Sequence, residues 1–445
     1  MFSRAPVRRL QGALQRFPVL RIRDFRLLLA DRLLAPAAFA FSLVGVSFAV
    51  LDATGSTADL SYVLAAQIVP SLIFTLVGGV IADRIRPQLV IVAGNALIAL
   101  GEGLFGLLVL VGHPRLWQMI ALETITGIGM AIFYPASQAL LPRLVPAGLL
   151  QQASAVSRLA MNGGQMVGAV LAGLAVAAVG PGWALAACGV GTLGTVPLML
   201  SLRVPAHQRA PGGAGMLRDL REGWSEFRSH TWLWVIVAEY CVIMMAWYGA
   251  FQVLGPEVAR AHLGGAAAWG AITAADAVGL IAGGLISLKF RPRRPMFFVV
   301  VIGGFVAISP LSLARPWPLP LICLASLGLG IAVEMMMVQW TVAMAQNIPP
   351  HVLARVSSYD ALGSVMTMPV GALVAGPLAS VIGVPATEYG AAILIVAAAL
   401  LALIPRDVRQ RRADPAVPAG APGLDPAEPI LGEPVQVEPA YAESV

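Results

Sequence analysis

Charge is what this sequence has least of. Asp, Glu, Lys and Arg make up 12% of its 445 residues, about half of the ~25% usual for soluble domains. That scarcity excludes a water-exposed globular surface. The 58% of apolar residues and mean hydropathy of +0.81 must therefore face lipid. Lysine is almost missing: Lys289 stands alone. The Gly-x-x-x-x-Gly-Lys loop that cradles nucleotide phosphates is thus ruled out, and with it an ATP-driven pump. The five histidines (His113, His207, His230, His262 and His351) fall in loops or at the ends of apolar runs, with no His-Glu-x-x-His and no Gly-x-Ser-x-Gly. Cys188, Cys241 and Cys323 lie far apart inside apolar runs. They read as small buried hydrophobes rather than a disulfide or metal set. No enzyme chemistry, cofactor or metal is expected.

What is present is long apolar runs. A hydrocarbon core of about 30 Å takes about 20 residues of helix. Runs of that length occur at 27–51, 59–82, 89–111, 117–141, 155–179, 182–202, 232–255, 266–288, 296–314, 318–343, 361–382 and 386–404. Most are apolar all round, as spans are. The expected fold is all-α, with twelve transmembrane helices. The first 26 residues are Arg-rich without a short apolar core and cleavage site, so the first span should itself direct insertion.

Orientation follows from arginine placement, because cytoplasmic loops retain basic residues. Seven arginines precede the first span, and Arg84, Arg86, Arg143, Arg203, Arg228, Lys289, Arg355 and Arg406 fall on the same side. In all, 24 of the 29 basic residues collect there, against Arg115, Arg260 and Arg315 opposite. Both termini should be cytoplasmic. The net charge of +6 thus reports topology, not nucleic-acid binding. The expected organisation is a basic N-terminus (1–26), six spans (27–202), a linker (203–231), six more spans (232–404) and a tail (405–445). In the linker, Met216, Leu217, Leu220, Trp224 and Phe227 recur at helical spacing. They predict an amphipathic helix, lying on the inner leaflet or packed on protein. The Pro-rich tail, acidic from Asp414 to Glu443, lacks the apolar surface to fold.

The two sets of spans repeat. Gly78-Gly79 with Arg84, Arg86 and Pro87 matches Gly283-Gly284 with Lys289, Arg291 and Pro292. Gly127-Ile-Gly129 matches Gly328-Leu-Gly330, and Val167-Gly168 through Gly173 matches Val370-Gly371 through Gly376. Three matches in order at nearly one offset imply two pseudo-symmetric six-helix bundles, an architecture of transporters with the substrate between the halves.

Gly79-Val-Ile-Ala-Asp83-Arg84-Ile-Arg86-Pro87-Gln88, between the second and third spans, resembles the loop motif of the major facilitator superfamily, although Arg86 replaces its usual Gly. Phe133-Tyr134-Pro135-Ala136, Leu140-Leu141-Pro142-Arg143-Leu144-Val145-Pro146 and Ala354-Arg355-Val356-Ser357-Ser358-Tyr359-Asp360 are similar to loops of its bacterial small-molecule and siderophore exporter branch. The resemblance implies a latch of Gly79, Asp83, Arg84 and Arg86 that shuts the cytoplasmic mouth, unless these arginines only set orientation. On the fifth span, Gly164, Gly168 and Gly173 resemble the antiporter motif, with Ala169 in place of its Pro; small residues at this spacing also serve plain helix packing.

An ionised side chain at bilayer depth costs at least ~2.5–3.5 kcal/mol, so each marks a pair, a cavity or a proton site. The resemblance places spans 1, 4, 7 and 10 around a central cavity. That makes Glu123, Glu239 and Glu334, with Asp276 on span 8, candidates for substrate binding or proton coupling. Glu102 in the third span has no assigned role. Asp31 with Arg32, and Arg158 with Asp360, read as snorkelling or local pairs. Met335, Met336, Met337, Gln339 and Trp340 hint at an adaptable surface for a lipophilic substrate. The expected protein is a monomeric secondary transporter of the cell membrane, working by alternating access and exporting a drug, siderophore or metabolite against protons. Uptake, or a non-transporting receptor on the same fold, are the alternatives.

Overall fold

The computed structural model describes residues 18–112, 114–204 and 224–410; the side chains of 75–84, 147, 350, 351, 354 and 355 are not described. Most of the expected N-terminal segment, the linker from 205 to 223 and the tail from 411 onward lie outside these residues.

Twelve helices are long and apolar enough to cross a membrane. They are α1 (Arg23–Thr54), α2 (Thr57–Arg84), α3 (Pro87–Val111), α4 (Leu116–Leu144), α5 (Leu150–Val179) and α6 (Pro181–Leu200). The rest are α7 (Thr231–His262), α8 (Ala266–Ser287), α9 (Pro295–Ala314), α10 (Leu319–Asn347), α11 (Val356–Ile382) and α12 (Val384–Ala402). A short α13 (Arg406–Gln410) follows. No strand occurs among the described residues. Each helix matches an apolar run, and most outreach it by up to two turns, because polar ends continue the helix into the interface. Chemistry sets the boundaries: Pro opens α3, α6 and α9, where its missing N–H costs nothing. Gly55 ends α1 at φ 65°, a left-handed cap that suits glycine.

Three helices of the second half are interrupted, each just before a proline that cannot donate to the preceding turn. In α7 a π-helical stretch, Tyr248–Leu254, precedes Pro256. In α9 a 3-10 turn, Phe305–Ala307, precedes Pro310. In α11 the break at 366–367 precedes Pro369, and there Thr367 Oγ1 donates to the Cys241 carbonyl of α7 at 2.6 Å.

Helices α1–α6 pack among themselves, chiefly as α2 on α4, α3 on α4, α1 on α5 and α3 on α6. In the second half α8 on α10 is the most extensive pairing, and the halves meet through α5 on α8 and α2 on α11. Because the span number is even, one end of the bundle carries the basic loops and both ends of the described chain; it is called the basic end below. The apolar clusters at the opposite end mix the halves. One joins Leu51, Leu60, Leu64 and Phe105 to Tyr248, Leu254 and Ala375, and another joins Phe48 and Val176 to Phe251 and Trp269. Toward the basic end each cluster stays within one half. The apolar seal between the halves therefore lies at the opposite end, and toward the basic end the apolar packing stays within each half. The linker's described end, residues 224–229, is helical. There Trp224 stacks on Phe227, with Tyr359 of α11 5.5 Å from the indole, so this part of the linker packs on protein.

Candidate functional site

A cavity of about 230 Å³ opens off the basic-end side of the first half, between α1, α3, α4, α5 and α6. Its polar wall is built from Asp31 and Arg32 of α1, Asn95 of α3 and Ser137 of α4, and its rings are Phe39, Phe133 and Tyr134. The pair at 31–32 does not snorkel. Arg32 is buried, donates from Nη2 to the Ser137 carbonyl at 2.7 Å and meets Met161 Sδ at 3.5 Å. Asn95 donates to Thr195 Oγ1 at 2.8 Å. Arg32 Nε, Asp31 Oδ1 and Ser137 Oγ are all buried with no hydrogen-bond partner. Buried polar atoms are nearly always satisfied. Three such atoms belong to residues that line this one cavity.

Farther from the basic end, Glu102 and Glu123 share the core of the same half, each wholly buried. The α3–α4 crossing brings them together. Gly101 leaves room for Thr126 Oγ1, and a side chain on it would also stand 2.9 Å from the Leu122 carbonyl. Ser42 Oγ donates to Glu102 Oε1 at 2.6 Å, and Gln67 Nε2 donates to Glu123 Oε2 at 2.7 Å. Each of the two carboxyls keeps one buried oxygen without a hydrogen-bond partner. Glu102, for which the sequence offers no role, is half of this pair.

Glu334 of α10 lies against Gly283 and Gly284 of α8 and accepts from Arg158 of α5 at 2.9 Å. Arg158 thus bridges the halves instead of pairing locally with Asp360, which accepts from Trp340 Nε1 at 3.0 Å. Asp276 is partly exposed on α8. Met335 and Met336 are buried in the second half, Met337 is exposed, and Gln339 donates to the Phe290 carbonyl.

The pattern of the Major Facilitator Superfamily matches residues 33–359. The chain belongs to the major facilitator superfamily. Two curated relatives are enterobactin exporters named EntS. The one from Citrobacter koseri is 28% identical over 363 residues, covering 78% of this chain and 83% of its own. The one from Escherichia coli O1:K1 is 28% identical over 359 residues, covering 77% and 83%. Among solved structures, a bacterial homologue of the human lysosomal transporter Spinster, inward-facing and unoccupied, superposes with a TM-score of 0.69 at 18% identity, over 88% of this chain and 99% of that one. The D-xylose-proton symporter gives 0.64 at 14% identity, over 86% and 98%. At those identities the likeness shows the fold. The protein is accordingly a multi-pass member of a family of small-molecule transporters, which are not enzymes.

Within the superfamily fold, the three glycines of α5 divide their work. Side chains at Gly164 and Gly168 would run into the backbone carbonyls of Leu33 and Ala37 on α1, while one at Gly173 would stand 2.7 Å from the Ala266 carbonyl and 2.9 Å from Gly270 on α8. The first two close a helix pair inside one half, and the third closes the seam between halves. Of the latch residues, Arg86 is exposed and caps α3, whereas the side chains of Asp83 and Arg84 lie outside the described set, as does any contact of Gly79.

Glu239 does not meet the other acids. It faces α9 and α12, with Oε1 beside Gly303 and without a hydrogen-bond partner. Sequence reasoning missed Glu388 on α12, which is fully buried with both oxygens unpartnered. The signal was available: an acid one turn inside an apolar run.

Proposed function

We propose that the protein is a proton-coupled exporter of the cell membrane, acting as a monomer by alternating access, with both termini cytoplasmic and a siderophore or related small metabolite as substrate. One observation carries this reading: the halves are sealed at the opposite end, while a cavity with orphaned polar groups lies toward the basic end. With the basic loops cytoplasmic, that is a pump waiting to load from inside. Similarity to the enterobactin exporters supports the direction and the substrate class. The ring-lined cavity with Arg32 and Asp31 is where the substrate would bind, and Glu102 with Glu123 is where the proton would. Asp276 and Glu334 border the route between the halves, and Asp83 with Gly79, Arg84 and Arg86 would latch its mouth.

The test is transport into inside-out vesicles from cells expressing the chain. Metabolites lost from the medium of a deletion strain supply the labelled substrate. Accumulation that needs an acid-interior gradient and collapses with a protonophore is expected. Accumulation that ignores the gradient removes the coupling, and uptake only in right-side-out vesicles reverses the direction.

A further inference from the structure

The cavity of the first half is lined by an acid and a base that do not pair with each other. Asp31 and Arg32 are neighbours on α1, so their side chains leave the helix about 100° apart. Both line the cavity, and both are buried, at 2% and 8% exposure. Buried charged groups are ordinarily paired. Among the described residues, however, neither takes part in an ion pair. The Arg32 guanidinium is held at the cavity wall by two other lining residues, through Nη2 to the Ser137 carbonyl and Nη1 to Met161 Sδ. Its Nε has no acceptor, and Asp31 Oδ1 has no donor.

Size and lining narrow what can satisfy them. At about 230 Å³ the cavity is smaller than the 300–1,000 Å³ of drug-sized sites. Phe39, Met130, Phe133 and Tyr134 give it apolar surface beside the two charged groups. A neutral or singly charged molecule would serve one of those groups and leave the other buried without a partner, which costs binding free energy. A molecule with an ammonium and a carboxylate serves both at once. Adjacent positions on one helix also keep the acid and the base within the short span of two such groups carried on one carbon.

We propose that this cavity takes a small zwitterion of amino-acid size with an apolar side chain: its ammonium on Asp31, its carboxylate on Arg32, and its side chain among Phe39, Phe133 and Tyr134. The proposal rests on the export reading in taking this cavity as the substrate site, and it adds the chemical class of the cargo.

Equilibrium binding to the full chain in nanodiscs gives the test, with radiolabelled phenylalanine, phenethylamine and phenylpropionate as probes. The last two each keep one of the two charges. Saturable binding of phenylalanine is expected, with each singly charged probe weaker by at least about tenfold, the scale of one lost charge-assisted hydrogen bond. Asp31→Asn should weaken phenylalanine and leave phenylpropionate unchanged, and Arg32→Gln should weaken phenylalanine and leave phenethylamine unchanged. Ala35→Phe, which fills the cavity from α1, should abolish binding of all three. Should the charge variants fail to fold, the three probes on the parent chain decide. Equal affinity for the three, no saturable binding of phenylalanine, or equal loss of all three in both charge variants overturns the proposal. Binding that fails while vesicles still accumulate another metabolite removes this proposal alone, and binding that holds while vesicle transport fails removes the export reading alone.

Discussion

At the scale of single residues, the proposed proton site lies where the fold leaves polar atoms unsatisfied. Glu102 and Glu123 each keep one hydrogen bond and one orphaned oxygen, and burying an unpaired polar atom costs free energy. Glu123→Gln is expected to cut gradient-driven transport by about tenfold or more, on the scale of one charged hydrogen bond, while substrate exchange without a gradient survives. Counterflow assays beside gradient-driven assays separate the two, and equal loss in both would make the glutamate structural. Gln67→Leu leaves the Glu123 carboxyl without its donor and should lower stability by ~1–3 kcal/mol, visible as a lower melting temperature in detergent. The sequence marked Glu123 because a charge in an apolar run stands out. It gave Glu102 no role because its partner Ser42 lies 60 positions away, and a buried serine leaves no trace in composition.

At the scale of elements, the twelve helices were legible because membrane thickness fixes their length and composition. What could not be read was where they bend and what each small residue meets. Gly164, Gly168 and Gly173 look alike in sequence, yet two serve the α1–α5 pair and the third serves the seam with α8. Their substitutions should therefore diverge. Gly168→Leu forces a side chain into the Ala37 backbone and should destabilise the protein by ~1–3 kcal/mol, the usual range for overpacking. Gly173→Leu wedges the seam that closes the opposite end, so its main effect is expected on conformation. A cysteine-specific reagent added at that end should label a reporter at Ala266→Cys faster in Gly173→Leu than in the parent. Equal labelling would show that the seam does not govern closure.

At the scale of the whole molecule, the duplicated architecture was visible in three glycine-bearing matches, but the asymmetry between its halves was not. The first half runs through its prolines at 36, 70 and 135 as continuous helix, while the second breaks at Tyr248–Leu254, at Phe305–Ala307 and at 366–367. Near the basic end Arg158 and Glu334 tie the two halves, and at the opposite end Gly376 N–H donates to Ser61 Oγ at 2.8 Å beside a broad apolar seal. These contacts oppose each other in a rocking cycle: opening the far end must break the seal, and widening the near end must break the ion pair. With Arg158 63% exposed, that pair is worth about 0–1 kcal/mol, enough to bias two states a few-fold without locking either. Arg158→Glu places two acids face to face and should favour wider separation at the basic end; adding Glu334→Arg restores opposite charges and should return the balance. Labelling of Tyr134→Cys, an exposed position lining the cavity, by a membrane-impermeant maleimide in inside-out vesicles measures this. The expected order is Arg158→Glu fastest, with the double exchange close to the parent. If the double exchange labels as fast as the single change, the bridge is incidental and the balance rests on the apolar seal alone.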